Sequence, residues 1–284
     1  MKKILTLLVF ISGNIISFSQ NGTGWFTTSQ PGNGVTVIAD HNNADNMYLV
    51  QGSDSAMLID TGLGNADLSK FVRKLSSKPL IVINTHAHPD HSGSNYQFEK
   101  VFIHPADSEA ARSYNTNAGK GNSSNAMSGG DKPAENEVFS GRPFNTRLVP
   151  VYEGKIFDLG GRTIQVIEAP GHTPGEICLL DRENKLLFTG DNSNTLVWLF
   201  LQNSRPLKEY LTTLEKLEKR MHEDEMIFPG HGTPLPADFI RDQVSCVRGI
   251  LDHSLEAKPY ESFAGNAMVS VWGRASVTFN PGNL

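Results

Sequence analysis

The chain has 284 residues, 38% of them hydrophobic, which is enough apolar material for one large domain or two small ones with a substantial buried core. Its formal charge of −5 comes without any cluster of basic residues, so it has no surface suited to a phosphate backbone and no nucleic-acid partner is expected. Two cysteines, Cys178 and Cys246, lie far apart and outside any Cys-x-x-Cys pattern. That rules out a cysteine metal cluster and leaves open both one disulfide and two buried thiols.

The first residues, "MKKILTLLVFISGNIISFSQ", carry Lys2 and Lys3, then an apolar stretch from Ile4 to about Phe18, then small residues at Ser17 and Ser19. This is the pattern of a secretory signal peptide over residues 1–19, leaving residues 20–284 as the mature domain. A membrane anchor is the alternative, but Ser12, Gly13 and Asn14 interrupt a stretch already shorter than the ~20 apolar residues a span requires. The expectation is a secreted or periplasmic protein with no membrane anchoring after cleavage. Loss of Lys2 and Lys3 would carry the formal charge from −5 to −7.

Short runs rich in Val, Ile and Leu predict strands at Val35 to Ala39, Met47 to Gln51, Ala56 to Asp60, Leu80 to Asn84 and Val101 to His104. A helical pattern lies between, at Asp67 to Leu75. From about Tyr114 to Arg147 the chain is poor in aliphatic residues and dense in Gly, Asn and Ser, as in a lid over a site or a mobile insertion. The second half predicts strands at Thr163 to Glu168, Glu176 to Leu180, Lys185 to Thr189 and Met226 to Phe228, with helices from about Pro206 to Met221 and Pro236 to Leu255. Groups of strands separated by helices suggest sheets covered by helices, an α/β class.

The chemistry is concentrated where strands run into loops. "THAHPDHSG" at Thr85 to Gly93 puts His86, His88, Asp90 and His91 within six residues, directly after a predicted strand. Three later turns, "APGHTPG" with His172, "LFTGDNSN" with Asp191 and "IFPGHGTP" with His231, each follow an apolar run and carry glycine, so the backbone can turn sharply and present the side chain at a sheet edge. Alone, any one of them is more often a turn residue or a hydrogen-bonded core histidine than a ligand. Together they supply five histidines and two aspartates, a nitrogen and oxygen set that suits two zinc ions. In an extended approach His86 and His88 point the same way and can grip one ion, while Asp90 and His91, beyond the Pro89 bend, turn toward a second.

The ordered set "HAHPDH", His172, Asp191 and His231, with "LIDTG" at Leu58 to Gly62, resembles the metallo-β-lactamase superfamily over roughly Val35 to His231. The resemblance implies a four-layer αββα sandwich with metals at one edge. It further implies that His86, His88 and His172 hold a first zinc, that Asp90, His91 and His231 hold a second, and that Asp191 bridges them. Asp60 would orient the ligand loop, or else simply cap a strand end. Redox members of the family that use iron have a glutamate where His88 stands, so zinc is the preferred metal here, with manganese or iron as the other candidates.

Two such ions can share a water and lower its pKa from 15.7 to about 7, which makes hydrolysis the expected reaction. Asp90 would also pass a proton to the leaving group, beside its role as a ligand. The family's true β-lactamases have cysteine or serine in place of Asp191, and several have a lysine where Asn194 stands, whereas a bridging aspartate resembles the glyoxalase II, lactonase and phosphodiesterase branches. The first expectation is therefore a secreted dinuclear zinc hydrolase acting on a small-molecule carboxylic ester, lactone or thioester. A periplasmic β-lactamase is second. A phosphodiesterase, disfavoured by the acidic charge, and a non-catalytic metal-binding scaffold rank below it.

Overall fold

The computed structural model describes residues 24–40, 45–117 and 144–284. Strands β1 (Thr27–Gly32), β2 (Val35–Ala39), β3 (Asn46–Gln51), β4 (Ala56–Ile59), β5 (Leu80–Ile83), β6 (Lys100–Ile103) and β7 (Arg147–Pro150) form one sheet in chain order. It is antiparallel from β1 to β4 and parallel from β4 to β7. Parallel neighbours need crossovers, and α1 (Leu68–Leu75), the short α2 (Pro89–Ser92) and α3 (Pro105–Asn117) lie within them. A second sheet has the order β14-β13-β11-β10-β9-β8, from β8 (Ile156–Asp158), β9 (Thr163–Glu168), β10 (Ile177–Asp181), β11 (Leu186–Gly190), β13 (Met226–Pro229) and β14 (Leu235–Pro236).

Burial explains the layering. Val50, Met57, Ile59 and Ile83 of the first sheet pack against Val166, Leu179, Phe188 and Phe228 of the second, so one face of each sheet builds a shared core. The alternate residues Leu49, Leu58 and Val82 turn the other way and bury Leu68 and Val72 of α1. On the far side Cys178, Leu180 and Leu187 pack under α4 (Leu207–Arg220) and α5 (Phe239–Leu251) through Tyr210, Leu214, Val244 and Val247. The layers run helix, sheet, sheet, helix, as the αββα expectation requires. Strands covered on both faces read as unbroken apolar runs, which is why β2 to β5 and β9 to β11 were legible.

Two parts of the chain differ from expectation. Tyr114 to Asn117 belong to the last turn of α3 and Arg147 opens β7, so the part of the Gly- and Asn-rich segment between them, residues 118–143, lies outside the described residues, as do residues 1–23, where the signal-peptide expectation falls, and residues 41–44. The last part of the chain, left without elements in the sequence reading, folds into β15 (Lys258–Ser262), β16 (Gly265–Trp272) and β17 (Ala275–Phe279). With β12 (Leu196–Leu199) these make a four-stranded sheet of order β12-β17-β16-β15. Cys178 and Cys246 are both buried free thiols, which decides between the two cysteine readings. Among the described residues, no helix is long and apolar enough to cross a membrane.

Candidate active site

The C-terminal ends of β4, β5, β9, β11 and β13 open onto the loops that carry the predicted site residues, the position where α/β sheets place ligands. His86 and His88 follow β5, Asp90 and His91 lie in α2, His172 follows β9, Asp191 follows β11, and His231 follows β13. The structure brings all seven into one cluster. His86, His88 and His172 converge as one trio, His86, His91 and Asp191 as another, and Asp90, His91 and His231 as a third, the donor atoms of each lying within 4.8 Å of one another. His91 and Asp191 stand centrally, with His91 Nε2 3.4 Å from Asp191 Oδ1 and His231 Nε2 3.2 Å from Asp191 Oδ2.

Hydrogen bonds set which ring nitrogen is left for a ligand. His172 Nδ1 lies 2.7 Å from the Trp198 carbonyl oxygen, which can only accept, so Nδ1 carries the proton and Nε2 keeps its lone pair. His91 Nδ1 donates in the same way to Asp60 Oδ2 at 3.0 Å. Asp60 also accepts from Thr85 N at 2.7 Å and Thr85 Oγ1 at 2.8 Å. The Thr85 hydroxyl, its proton so committed, is free to accept from His86 Nδ1 at 3.1 Å. His86 Nε2 is then a lone pair, and among the described residues neither it nor Asp90 Oδ1, both buried, has a hydrogen-bond partner. Asp60 holds its position with φ 62°, a left-handed conformation that costs a non-glycine residue on the order of 1 kcal/mol or more. It is the orienting residue rather than a simple strand-end cap.

Charge follows the same division. Burial lowers the pKa of His86, His88 and His172, the last to about 4, and the neighbouring histidines add to the effect at His86 and His172. These three rings are neutral at pH 7 and available as ligands. Burial opposes ionisation of Asp90 and Asp191 as well, but His91 and His231 outweigh it and hold both carboxyls below the usual range. In return the two carboxylates raise His91 and His231 against the opposing effect of burial. Two aspartates and two protonated imidazoles balance each other. Cations could take over the positive charge that those protons provide. Orphaned buried acceptors, neutral imidazoles and paired carboxylates together make a donor set that fits two divalent ions.

The family model of the metallo-beta-lactamase superfamily matches residues 43–231, a span that contains all seven donors. The chain belongs to that superfamily. It is 31% identical over 233 residues to acyl-coenzyme A thioesterase MBLAC2 of Homo sapiens, a match covering 73% of this chain and 81% of that one. Among solved structures it is similar to TTHA1623 in a di-iron-bound form, with 25% identity, a TM-score of 0.51, and coverage of 69% of this chain and 91% of that one. It shares the fold of the metallo-beta-lactamase from Pontibacter korlensis at 16% identity and TM-score 0.56, over 78% of this chain and 99% of that one. The superfamily and the thioesterase relatives together make the chain a hydrolase, with His and Asp groups suited to metal binding.

Sequence reasoning missed the residues that join the superfamily's ligand loops. Asp107, buried in α3, accepts from Ala87 N at 3.0 Å, Thr173 Oγ1 at 2.7 Å and Gly175 N at 2.8 Å, and so ties the His86–His88 loop to the His172 loop. Glu176 accepts from Asp191 N at 2.9 Å, and its place at the end of "HTPGE" was the one available signal. Asn46 donates to the carbonyls of Pro229 at 3.2 Å and Gly232 at 2.8 Å, which anchors the His231 turn to the first sheet. Asn194, where several β-lactamases have lysine, accepts from Leu196 N at 3.0 Å and is buried. Its side chain serves the turn into β12.

Proposed function

We propose that this chain hydrolyses acyl thioesters of small molecules, using two metal ions, zinc by preference, held by His86, His88 and His172 and by Asp90, His91 and His231, with Asp191 between them. The observation that carries the metal assignment is the pair of buried acceptor atoms His86 Nε2 and Asp90 Oδ1, without hydrogen-bond partners among the described residues, within one cluster of seven donors. The thioester is favoured over the other carboxylic esters and lactones by the likeness to acyl-coenzyme A thioesterases across most of both chains. An iron pair is the second reading of the metal, supported by the likeness to a protein solved in a di-iron-bound form. Export by the leader at residues 1–19 is part of the same reading, supported by the charge and apolar pattern of those residues.

Bound divalent ions would polarise the carbonyl and bring the pKa of a shared water from 15.7 to about 7. The chain supplies orientation and proton handling. Asp60 holds His91 and Thr85, and through Thr85 it holds His86, each presenting one defined nitrogen. Asp90 has one oxygen, Oδ2, toward His231 and His91 at 3.4 and 3.7 Å and the other uncommitted. Its carboxylate, ionised in this cluster, would accept the proton given up by the attacking water and pass it to the leaving sulfur, a light task because a thiol has a pKa of about 8.5.

The test is a side-by-side panel of a thioester, a lactone, an aryl ester, a chromogenic β-lactam and a phosphodiester, with metal content measured on the same preparation. The thioester should have the highest kcat/KM, Asp191→Ala should lose that activity, and about two equivalents of metal should be present. A β-lactam leading the panel would replace this reading with the β-lactamase one, and protein that neither contains nor takes up metal would end both.

A further inference from the structure

The C-terminal sheet gathers partly exposed aromatic rings at one face, on the strand that meets the first histidine trio. Along β12, Val197 and Leu199 are buried in the core under α5, so Leu196 and Trp198 face the opposite side. Register carries that side across the sheet: Trp198 lies beside Thr278, Thr278 beside Val269, and Val269 beside Lys258, two residues before Tyr260. Phe263, in the turn between β15 and β16, is 58% exposed. The rings form a continuous group, with Trp198 5.5 Å from Phe263, 5.2 Å from Phe200 and 6.3 Å from Tyr260. Scattered apolar surface is ordinary, whereas four aromatic rings grouped around Trp198 are a patch that calls for an occupant.

The position of β12 indicates which occupant. As the outermost strand of its sheet, β12 pairs only with β17 on one side. Thr278 Oγ1 on that side donates to the Val197 carbonyl at 3.1 Å, so the next carbonyl, Trp198, points out from the open edge, where it meets His172 Nδ1 at 2.7 Å. The same residue thus orients a candidate metal ligand with its backbone and contributes a ring to the patch with its side chain. The turn after β12 adds Ser204 Oγ, which donates to the His172 carbonyl at 3.0 Å. The aromatic face is thus joined to the histidine trio through the backbone of one of its own residues.

We infer that Trp198, Phe200, Tyr260 and Phe263 form the subsite for the acyl part of the substrate and select an extended apolar acyl group over a short one. The inference rests on the thioester reading for the reaction and adds the substrate's acyl class. No ion or polar partner is required of the subsite, since apolar burial alone discriminates by up to about fourfold per methylene.

The experiment measures kcat/KM for acetyl, hexanoyl and decanoyl thioesters of one thiol, and separately the binding of decanoate by intrinsic tryptophan fluorescence. In the unaltered protein the decanoyl-to-acetyl ratio should be large. Phe263→Ala, at an exposed turn residue, should cut the ratio about tenfold, the equivalent of losing contact with about two methylenes, and Phe263→Leu should restore much of it. Decanoate binding should weaken in parallel. Thioester turnover with a flat chain-length dependence, or a ratio unchanged in Phe263→Ala and Tyr260→Ala, overturns the subsite and leaves the thioester reading standing. Decanoate binding that weakens in Phe263→Ala without any thioester turnover supports the subsite and removes that reading. Absence of both binding and turnover removes both. A dimer in sedimentation that Phe263→Glu converts to monomer means a second copy covers the rings, and the subsite falls.

Discussion

Asp107→Ala should damage the metal site without touching any of the seven donors. The carboxylate is fully enclosed and accepts three hydrogen bonds, from Ala87 N, Thr173 Oγ1 and Gly175 N. Alanine strands two backbone N–H groups and a hydroxyl in a dry interior, each costing about 1 to 3 kcal/mol. The hydroxyl can rotate and a water can enter the space vacated, so the sum is smaller than three separate penalties, about 3 kcal/mol in all. Ala87 sits between His86 and His88, and Thr173 follows His172, so the loss releases both loops that build the first trio. Outer partners of metal ligands typically account for about 10- to 100-fold in metal affinity. The assay is urea unfolding of the metal-free protein, to read stability, and competition with a zinc chelator under native conditions, to read affinity. Asp107→Asn keeps an acceptor but aims an N–H₂ group at the same donors, and should fall between the two. Full metal affinity in a folded Asp107→Ala protein would refute the idea that Asp107 positions the histidines.

Asp60→Asn should lower metal affinity by about 10- to 100-fold, because the amide cannot hold His91 Nδ1–H and Thr85 together as the carboxylate does; a variant with unchanged affinity would return Asp60 to a capping role. Gly230→Ala should cost most of the metal content while leaving circular dichroism near normal, since a Cβ there would stand 2.5 Å from Asp191 Oδ1 and 2.6 Å from His91 Cε1. Chelation should lower Tm, and re-added zinc at about 100 times its Kd should return about 2.7 kcal/mol; a Tm indifferent to metal would contradict the donor assignment. Metal uptake should release protons and weaken as pH falls. The carboxylates hold His91 and His231 protonated in the metal-free protein, and those protons must leave before the rings can bind a cation; uptake that leaves an unbuffered solution at constant pH would refute this.

How far the chain could be read depended on whether its signals were local. The strands at the centre of both sheets are runs such as "MYLV" in β3 and "LLFTG" in β11, buried on both faces, and a continuous apolar run identifies them without knowledge of their neighbours. The strands β15 to β17 were missed for the opposite reason. "KPYES" and "GNAMVSVW" mix charged, polar and exposed apolar residues, and "ASVTF" buries Thr278 among apolar neighbours, so none of the three reads as an apolar run. α3 escaped because its buried side rests on Ala111 packed with Ala87 and Ile103, too small an apolar stripe to register as a helical period.

The site divides along the same line. His172, Asp191 and His231 each follow an apolar strand and a glycine, and His86, His88, Asp90 and His91 crowd into six residues directly after β5, so each has a local signal. The sequence by itself therefore singled out the superfamily and the seven residues that the fold brings into one cluster. Only the tertiary structure decided how the donors are held. Asp107 reaches across 66 residues to Thr173, Asp60 across 31 to His91, and the Trp198 carbonyl across 26 to His172. A carboxylate in a helix or a backbone oxygen at a sheet edge has no local signature of the partner it will meet. Its role follows from which surfaces the buried core forces together, and that is a property of packing between layers rather than of any one stretch of chain.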